Sequence, residues 1–149
     1  MIIELPDLTA MAALGRRIAA RLRAGDVVAL SGGLGTGKTT LARAIIGALG
    51  YGGEVPSPTF TIVEAYDPPA LRLRVVHADF YRLKRPAEAG ELGLDDYRAD
   101  AALIAEWPEL AGGFANEPGC LAIALEIAGS GRRAIVEPGA DWLRRWDER

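Results

Sequence analysis

Residues 32–39 read Gly-Gly-Leu-Gly-Thr-Gly-Lys-Thr. Every fixed position of the Walker A pattern, G-x-x-x-x-G-K-[ST], is filled. The pattern describes a physical object. Glycines let a tight turn aim its backbone N–H groups at a polyphosphate, and the N-terminus of the following helix adds partial positive charge. Lys38 brings a full charge to the β- and γ-phosphates, and the Thr39 hydroxyl can ligate Mg²⁺. Elsewhere the chain takes its cations almost wholly from arginine: Lys38 and Lys84 are its only lysines.

A phosphate loop with Mg²⁺ needs carboxylates at the ends of neighbouring strands. Two residues close apolar runs in this way, Asp79 in Val75-Val-His-Ala-Asp and Glu106 in Leu103-Ile-Ala-Glu. Glu106 has the stronger strand behind it and is the preferred metal ligand. Asp79 is the preferred group for orienting water or sitting in the second shell of the metal. Their plainer alternatives are a turn or N-cap carboxylate for Asp79 and a helix-start residue before Pro108 for Glu106. Thr59 follows Pro58 and a glycine-rich loop, where a hydroxyl can sense the γ-phosphate and Mg²⁺ as switch loops do; it also suits an ordinary strand start. His77 reads as a partly buried strand residue. Trp107 can stack on a base or a partner, or fill the core. Arg132 and Arg133 follow the turn Gly129-Ser-Gly131, where one of them can reach a phosphate or flank a base, or both can be solvated.

The elements that must hold these groups follow from pattern. Asp26–Ser31 is a short apolar run, as expected of a parallel strand buried on both faces. From Thr39 to Leu49 a helix is expected, with Leu41, Ile45 and Leu49 one turn apart. Before them, Met1–Leu5 suits an edge strand, and a helix capped by Asp7 or Thr9 runs to about Arg23 with Met11, Leu14, Ile18 and Leu22 inward. Arg16, Arg17, Arg21 and Arg23 are then its solvated side. Thr59–Tyr66 and Leu71–His77 flank the turn Asp67-Pro-Pro-Ala70 and predict a hairpin, the second strand half-exposed. Pro86 to about Asp100 predicts a polar helical excursion that buries Leu92, Leu94 and Tyr97. Asp100–Trp107 predicts a central strand, and Leu121–Ile127 with Arg133–Glu137 a second hairpin. A short terminal helix after Gly139 places Trp142 and Trp146 on one face. Together these give an α/β fold, a P-loop NTPase-like three-layer sandwich with a mixed parallel and antiparallel sheet, and one domain over residues 1–149.

Composition narrows the partners. The net charge is -3 and the isoelectric point near 5.2, against generic nucleic-acid binding. No apolar run approaches a membrane span, and no signal peptide is visible. Cys120 is the single cysteine and suits a small buried residue. A cytoplasmic protein with no membrane partner is expected.

Four motifs occur in order: Gly33-Leu-Gly-Thr-Gly-Lys-Thr-Thr40, Ser57-Pro-Thr-Phe-Thr-Ile-Val63, His77-Ala-Asp-Phe-Tyr-Arg-Leu83 and Glu106-Trp-Pro-Glu109. Over about Leu5 to Arg133 the chain resembles the TsaE (YjeE) family, bacterial ATPases of tRNA threonylcarbamoyladenosine synthesis. The resemblance implies Mg²⁺ and ATP as cofactors and a place beside TsaB and TsaD, with tRNA reached indirectly through that complex. It implies that TsaD transfers the threonylcarbamoyl group, while ATP hydrolysis by this chain resets the complex between turnovers. By the same resemblance, Gly35, Thr36, Gly37, Lys38, Thr39 and Thr40 form the phosphate cradle, Thr39 and Glu106 ligate Mg²⁺, and Asp79 is catalytic with Thr59 in the site. Arg132 becomes a nucleotide contact, and Leu8 and Thr9 border the adenine. One departure stands out: Gly33 occupies a position where the family commonly has an acidic residue.

No intrinsic arginine finger is evident, so hydrolysis is expected to be slow alone and faster with partners. Two other classes share the loop. A small-molecule kinase needs an acceptor pocket and an arginine-bearing lid, for which Arg82, Lys84 and Arg85 are available. A nucleotide-gated adaptor binds ATP without hydrolysing it. A GTPase is disfavoured, because neither Asn-Lys-x-Asp nor Asp-x-x-Gly occurs.

Overall fold

Val27–Ser31 has no polar side chain before its last residue, so it must be covered on both faces. In the computed structural model, which describes residues 1–58 and 63–147, it is the central strand of a seven-stranded sheet. In chain order the elements are β1 (Ile2–Leu5), α1 (Leu8–Arg21), β2 (Val27–Ser31), α2 (Lys38–Ala48), β3 (Val63–Tyr66) and β4 (Arg74–Asp79). They continue with α3 (Glu88–Glu91), α4 (Leu94–Arg98), β5 (Ala101–Glu106), a 3-10 turn (Pro108–Ala111), β6 (Cys120–Ala128), β7 (Gly131–Pro138) and α5 (Ala140–Asp147).

The strands lie in the order β1-β7-β6-β2-β5-β4-β3. β6, β2, β5 and β4 run parallel; β7 and β3 are antiparallel to their neighbours, and β1 is antiparallel to β7. The sheet is therefore mixed, with a parallel centre and an antiparallel pairing at each edge, as the two hairpins require. Alternation along each strand divides the core. Val28, Leu30, Ile104, Leu121 and Ile123 pack with Met11, Leu14 and Ile18 of α1 and Leu41 and Ile45 of α2. Val27, Ala29, Leu103 and Ala105 pack on the other face with Phe80, Leu94 and Phe114. Each large side chain so buried contributes about 1.5–3 kcal/mol.

Several local expectations change. The Asp7 side chain, rather than Thr9, caps α1 by accepting from the Ala10 N–H at 2.8 Å. β4 is buried from Val75 onward, not half-exposed, because it pairs with β3 on one side and β5 on the other. Leu92 and Tyr97 are 39% and 37% exposed, whereas Ala89 and Leu94 are buried. Gly93, at φ 78°, breaks the excursion into two short helices and turns the buried face. Of the expected Thr59–Tyr66 strand, Val63–Tyr66 is β3, and Thr59 to Ile62 lie outside the described residues.

The arginines of α1 are not all solvated. Arg17 Nη2 donates to Trp146 O at 2.9 Å, and its guanidinium lies 3.9 Å from the Trp146 ring centroid. Arg21 Nε donates to Arg145 O at 2.8 Å. In return, Arg145 makes a buried bidentate pair with Asp26, at 2.7 and 2.9 Å, at the start of β2. Thus α5, with Trp142 and Trp146 buried, clasps α1 and the base of the central strand.

Candidate functional site

The site lies where the parallel strands end. Glu106 closes β5 in register with Leu30 of β2 on one side and Asp79 of β4 on the other. The glycine-rich turn leaves β2 next door and enters α2 at Lys38. Glu106, Asp79, Gly35, Gly37 and Lys38 to Thr40 line one cleft of about 400 Å³, together with Leu34, Ser57, Tyr81, Trp107 and Arg132.

At its floor, Thr39 Oγ1 donates to Glu106 Oε1 at 2.8 Å. Spending the hydroxyl proton on the carboxylate leaves the threonine lone pairs for another electrophile. The second carboxylate oxygen, Oε2, lies 2.7 Å from His77 Nε2, and both side chains are buried. Lys38 is 6% exposed; its Nζ donates to the carbonyls of Gly32 and Gly33 at 2.8 and 2.7 Å. Burial lowers the ammonium from its ordinary value, opposed by the charges of Glu106, Asp79 and Glu109. The Trp107 ring roofs it, with Nζ 4.5 Å from the centroid. Trp107 sits at φ 55°, a conformation few bulky residues adopt, and meets Tyr81 in a tilted ring contact, centroids 5.0 Å apart and planes at 46°. Asp79 Oδ1 accepts the Tyr81 backbone N–H at 2.9 Å. Burial raises its carboxyl above the ordinary range; the Tyr81 bond opposes this and the Glu106 charge adds to it.

Arg132 reaches from β7 to Gly35 O, 3.0 Å away, so the sheet edge touches the loop. A second cavity of about 180 Å³ adjoins there, lined by Leu5, Pro6, Asp7, Leu8, Met11, Ser130 and Gly131 and sharing Gly37, Thr40 and Arg132 with the cleft. Leu8 is thus at the site, whereas Thr9 is exposed on α1 and lines neither cavity. Thr36 turns its hydroxyl to Gly33 O at 2.8 Å and also lines neither, leaving its backbone to the loop. Thr59 lies outside the described residues. Arg82, Lys84 and Arg85 do not line the cleft, and Arg85 pairs with Glu91 at 2.9 Å. Sequence reasoning set aside His77 as a strand residue and missed Tyr81 and Ser57. A signal was available for His77: it lies two residues before Asp79 on a strand, hence on the same face.

Two adjacent glycines of the loop are not equivalent. Gly32 has φ 137°, and a Cβ there would lie 2.4 Å from Leu125 O and 2.8 Å from Thr36 Oγ1. At Gly33 a Cβ would meet nothing within 4 Å. Gly32→Ala is expected to lower the melting temperature and weaken nucleotide binding at least tenfold, while Gly33→Ala leaves both close to wild type. Thermal melts with nucleotide titrations check this; equal behaviour of the two variants contradicts the loop geometry.

A parallel strand, a glycine-rich turn and a helix, beside carboxylates that end the neighbouring strands, define an α/β protein with a mixed sheet and its cleft at the ends of the parallel strands. Comparison with known proteins narrows the class. The profile of the family described as "Threonylcarbamoyl adenosine biosynthesis protein TsaE" matches residues 5–135. The tRNA threonylcarbamoyladenosine biosynthesis protein TsaE of Streptomyces coelicolor is 46% identical over 100 residues, 66% of this chain and 68% of that one. The protein of the same name from Haemophilus influenzae is 36% identical over 119 residues, 76% of this chain and 74% of its own. The crystal structure of YdiB from Bacillus subtilis superposes with a TM-score of 0.80 at 26% identity, covering 98% of this chain and 90% of that one. The chain belongs to the TsaE family, whose role is in tRNA threonylcarbamoyladenosine biosynthesis.

Proposed function

We propose that this chain binds ATP with Mg²⁺ and hydrolyses it in support of TsaB and TsaD, in the cytoplasm, meeting tRNA only through that complex. The observation that carries the reading is the Thr39–Glu106 hydrogen bond at the floor of a cleft whose lip is a buried lysine in a glycine-rich turn. The donor set suits Mg²⁺, an oxygen-seeking ion that keeps waters and takes substrate phosphates as ligands. Among the described residues no group of three or more His, Cys, Asp and Glu side chains could hold a metal without such help. Thr39 and Glu106 would hold the ion, which supplies charge neutralisation at the β- and γ-phosphates.

The other steps belong to the chain. Lys38 exchanges two carbonyl partners for phosphate oxygens, bringing a desolvated positive charge to where negative charge develops. Backbone N–H groups at the start of α2 complete the cradle. Asp79, beside Glu106 in the cleft, orients the water that forms the new bond to the γ-phosphorus as the bond to the bridging oxygen of ADP breaks. Leu8, Pro6 and Met11 would offer apolar walls to the adenine in the adjoining cavity, and Arg132, which lines both cavities, would stand between base and phosphates.

Phosphate release is expected to be slow for the chain alone and at least tenfold faster with the TsaB and TsaD homologues of the same cell, since among the described residues Arg132 is the only arginine lining the cleft, and it is held on the Gly35 carbonyl. A phosphate-release assay with and without those partners measures this. Equal rates remove the partner dependence, and phosphorylated product in place of free phosphate points to a kinase.

A further inference from the structure

His77 is fully buried on β4, between Val76 and Ala78 in the chain. Packing alone gives no reason for an imidazole there, since an apolar side chain of similar volume would fill the space without desolvating two ring nitrogens. One nitrogen, Nε2, lies 2.7 Å from Glu106 Oε2. The other, Nδ1, is buried and has no hydrogen-bond partner among the described residues. Since a carboxylate oxygen can only accept, the contact calls for a hydrogen on Nε2, donated to Glu106. The remaining oxygen, Oε1, is on the Thr39 hydroxyl.

We propose that His77 is a positioning residue for the metal. Its Nε2–H pins one carboxylate oxygen of Glu106, so that the other accepts from Thr39 and leaves the hydroxyl lone pairs available to the ion that Thr39 and Glu106 would hold. A carboxylate can rotate about its last bond and present either oxygen in many directions. Fixing both oxygens leaves a single orientation before any ligand arrives, and the ion then meets a formed site. Buried charge-assisted bonds of this length hold well. The inference rests on the Mg²⁺-ATP reading of the cleft and adds a residue that acts through Glu106.

The test is calorimetric titration with a non-hydrolysable ATP analogue, in Mg²⁺ and again in EDTA. The gain in affinity that Mg²⁺ brings is the readout. In His77→Leu that gain is expected to fall at least tenfold, as loss of a residue supporting a metal ligand does elsewhere, while affinity in EDTA stays within about twofold of wild type. His77→Gln places an amide N–H near the position of Nε2 and is expected to restore the gain to within about threefold. Should the leucine variant fail to fold, His77→Asn serves in its place, because its shorter amide cannot reach Oε2. A leucine or asparagine variant with an undiminished Mg²⁺ gain overturns the positioning role and leaves the ATP reading intact. So does an equal loss in Mg²⁺ and EDTA, which marks a purely structural role. A wild-type protein with no Mg²⁺ gain at all overturns both.

Discussion

Replacing Lys38 with alanine is expected to lower kcat/KM for Mg²⁺-ATP by about 10³-fold, near 4 kcal/mol of transition-state stabilisation. Lys38 is 6% exposed, its ammonium held by two loop carbonyls and facing the Trp107 ring. A charge withdrawn from water acts on phosphate oxygens more strongly than one at the surface. Lys38→Arg is expected to fail nearly as badly, because a planar guanidinium does not reproduce a compact ammonium held 2.7–2.8 Å from two loop carbonyls. Stability should not fall with activity. The buried cation carries its own desolvation penalty, so the alanine variant is expected to melt at or above the wild-type temperature. Single-turnover phosphate release beside a thermal melt reads both quantities. Activity within tenfold of wild type would show that the cleft is not the phosphate site.

Asp79→Asn is expected to move activity and stability in opposite directions. Hydrolysis should fall by about 10²–10³-fold, the size of a lost water-orienting base. The nucleotide-free protein should melt higher by roughly 2–4 °C at neutral pH, as about 1 kcal/mol does in a domain of this size. Burial, and then the neighbouring Glu106 charge, raise the Asp79 carboxyl above its ordinary value, while asparagine keeps an oxygen for the Tyr81 N–H. The sign follows from linkage. A carboxyl whose value is raised by folding favours the native state when protonated, and that contribution is lost as pH rises through the folded-state value. The melting-temperature gap between variant and wild type should therefore close below about pH 4, where an unperturbed aspartate also holds its proton, and open toward neutrality. A gap that is constant with pH, or reversed, would show that ionised Asp79 is not a cost to the fold.

The local elements were legible because each answers to a short-range rule. β2 and β5 are buried on both faces and so read as unbroken apolar runs, while the β6–β7 pair announces itself by its glycine turn. Trp142 and Trp146, four residues apart, share the face that the structure buries. The names around the cleft were legible too, since Lys38 and Thr39 open α2 and Asp79 and Glu106 close β4 and β5. What escaped depends on partners distant in sequence. Nothing local says that β2 lies between β5 and β6, or that His77 will meet Glu106. The second cavity forms only because β1 pairs with β7, which brings Pro6 and Leu8 to Ser130 and Arg132. Arg17 and Arg21 find acceptors on α5 more than a hundred residues away, which no local pattern in α1 announces.

The order of the strands bears on how the protein emerges during synthesis. The loop that carries Lys38 is translated early, yet β2 beneath it has no sheet neighbour until residues 101–106 and 120–128 exist. Among the described residues, the only strand pair a ribosome-bound chain can close before residue 100 is the β3–β4 hairpin at the far edge. Asp26 finds its counter-charge only when Arg145 has left the exit tunnel. The glycine turn is thus a late-assembled device in an early-written segment, and a nascent chain halted midway would carry the motif without the geometry that gives it meaning.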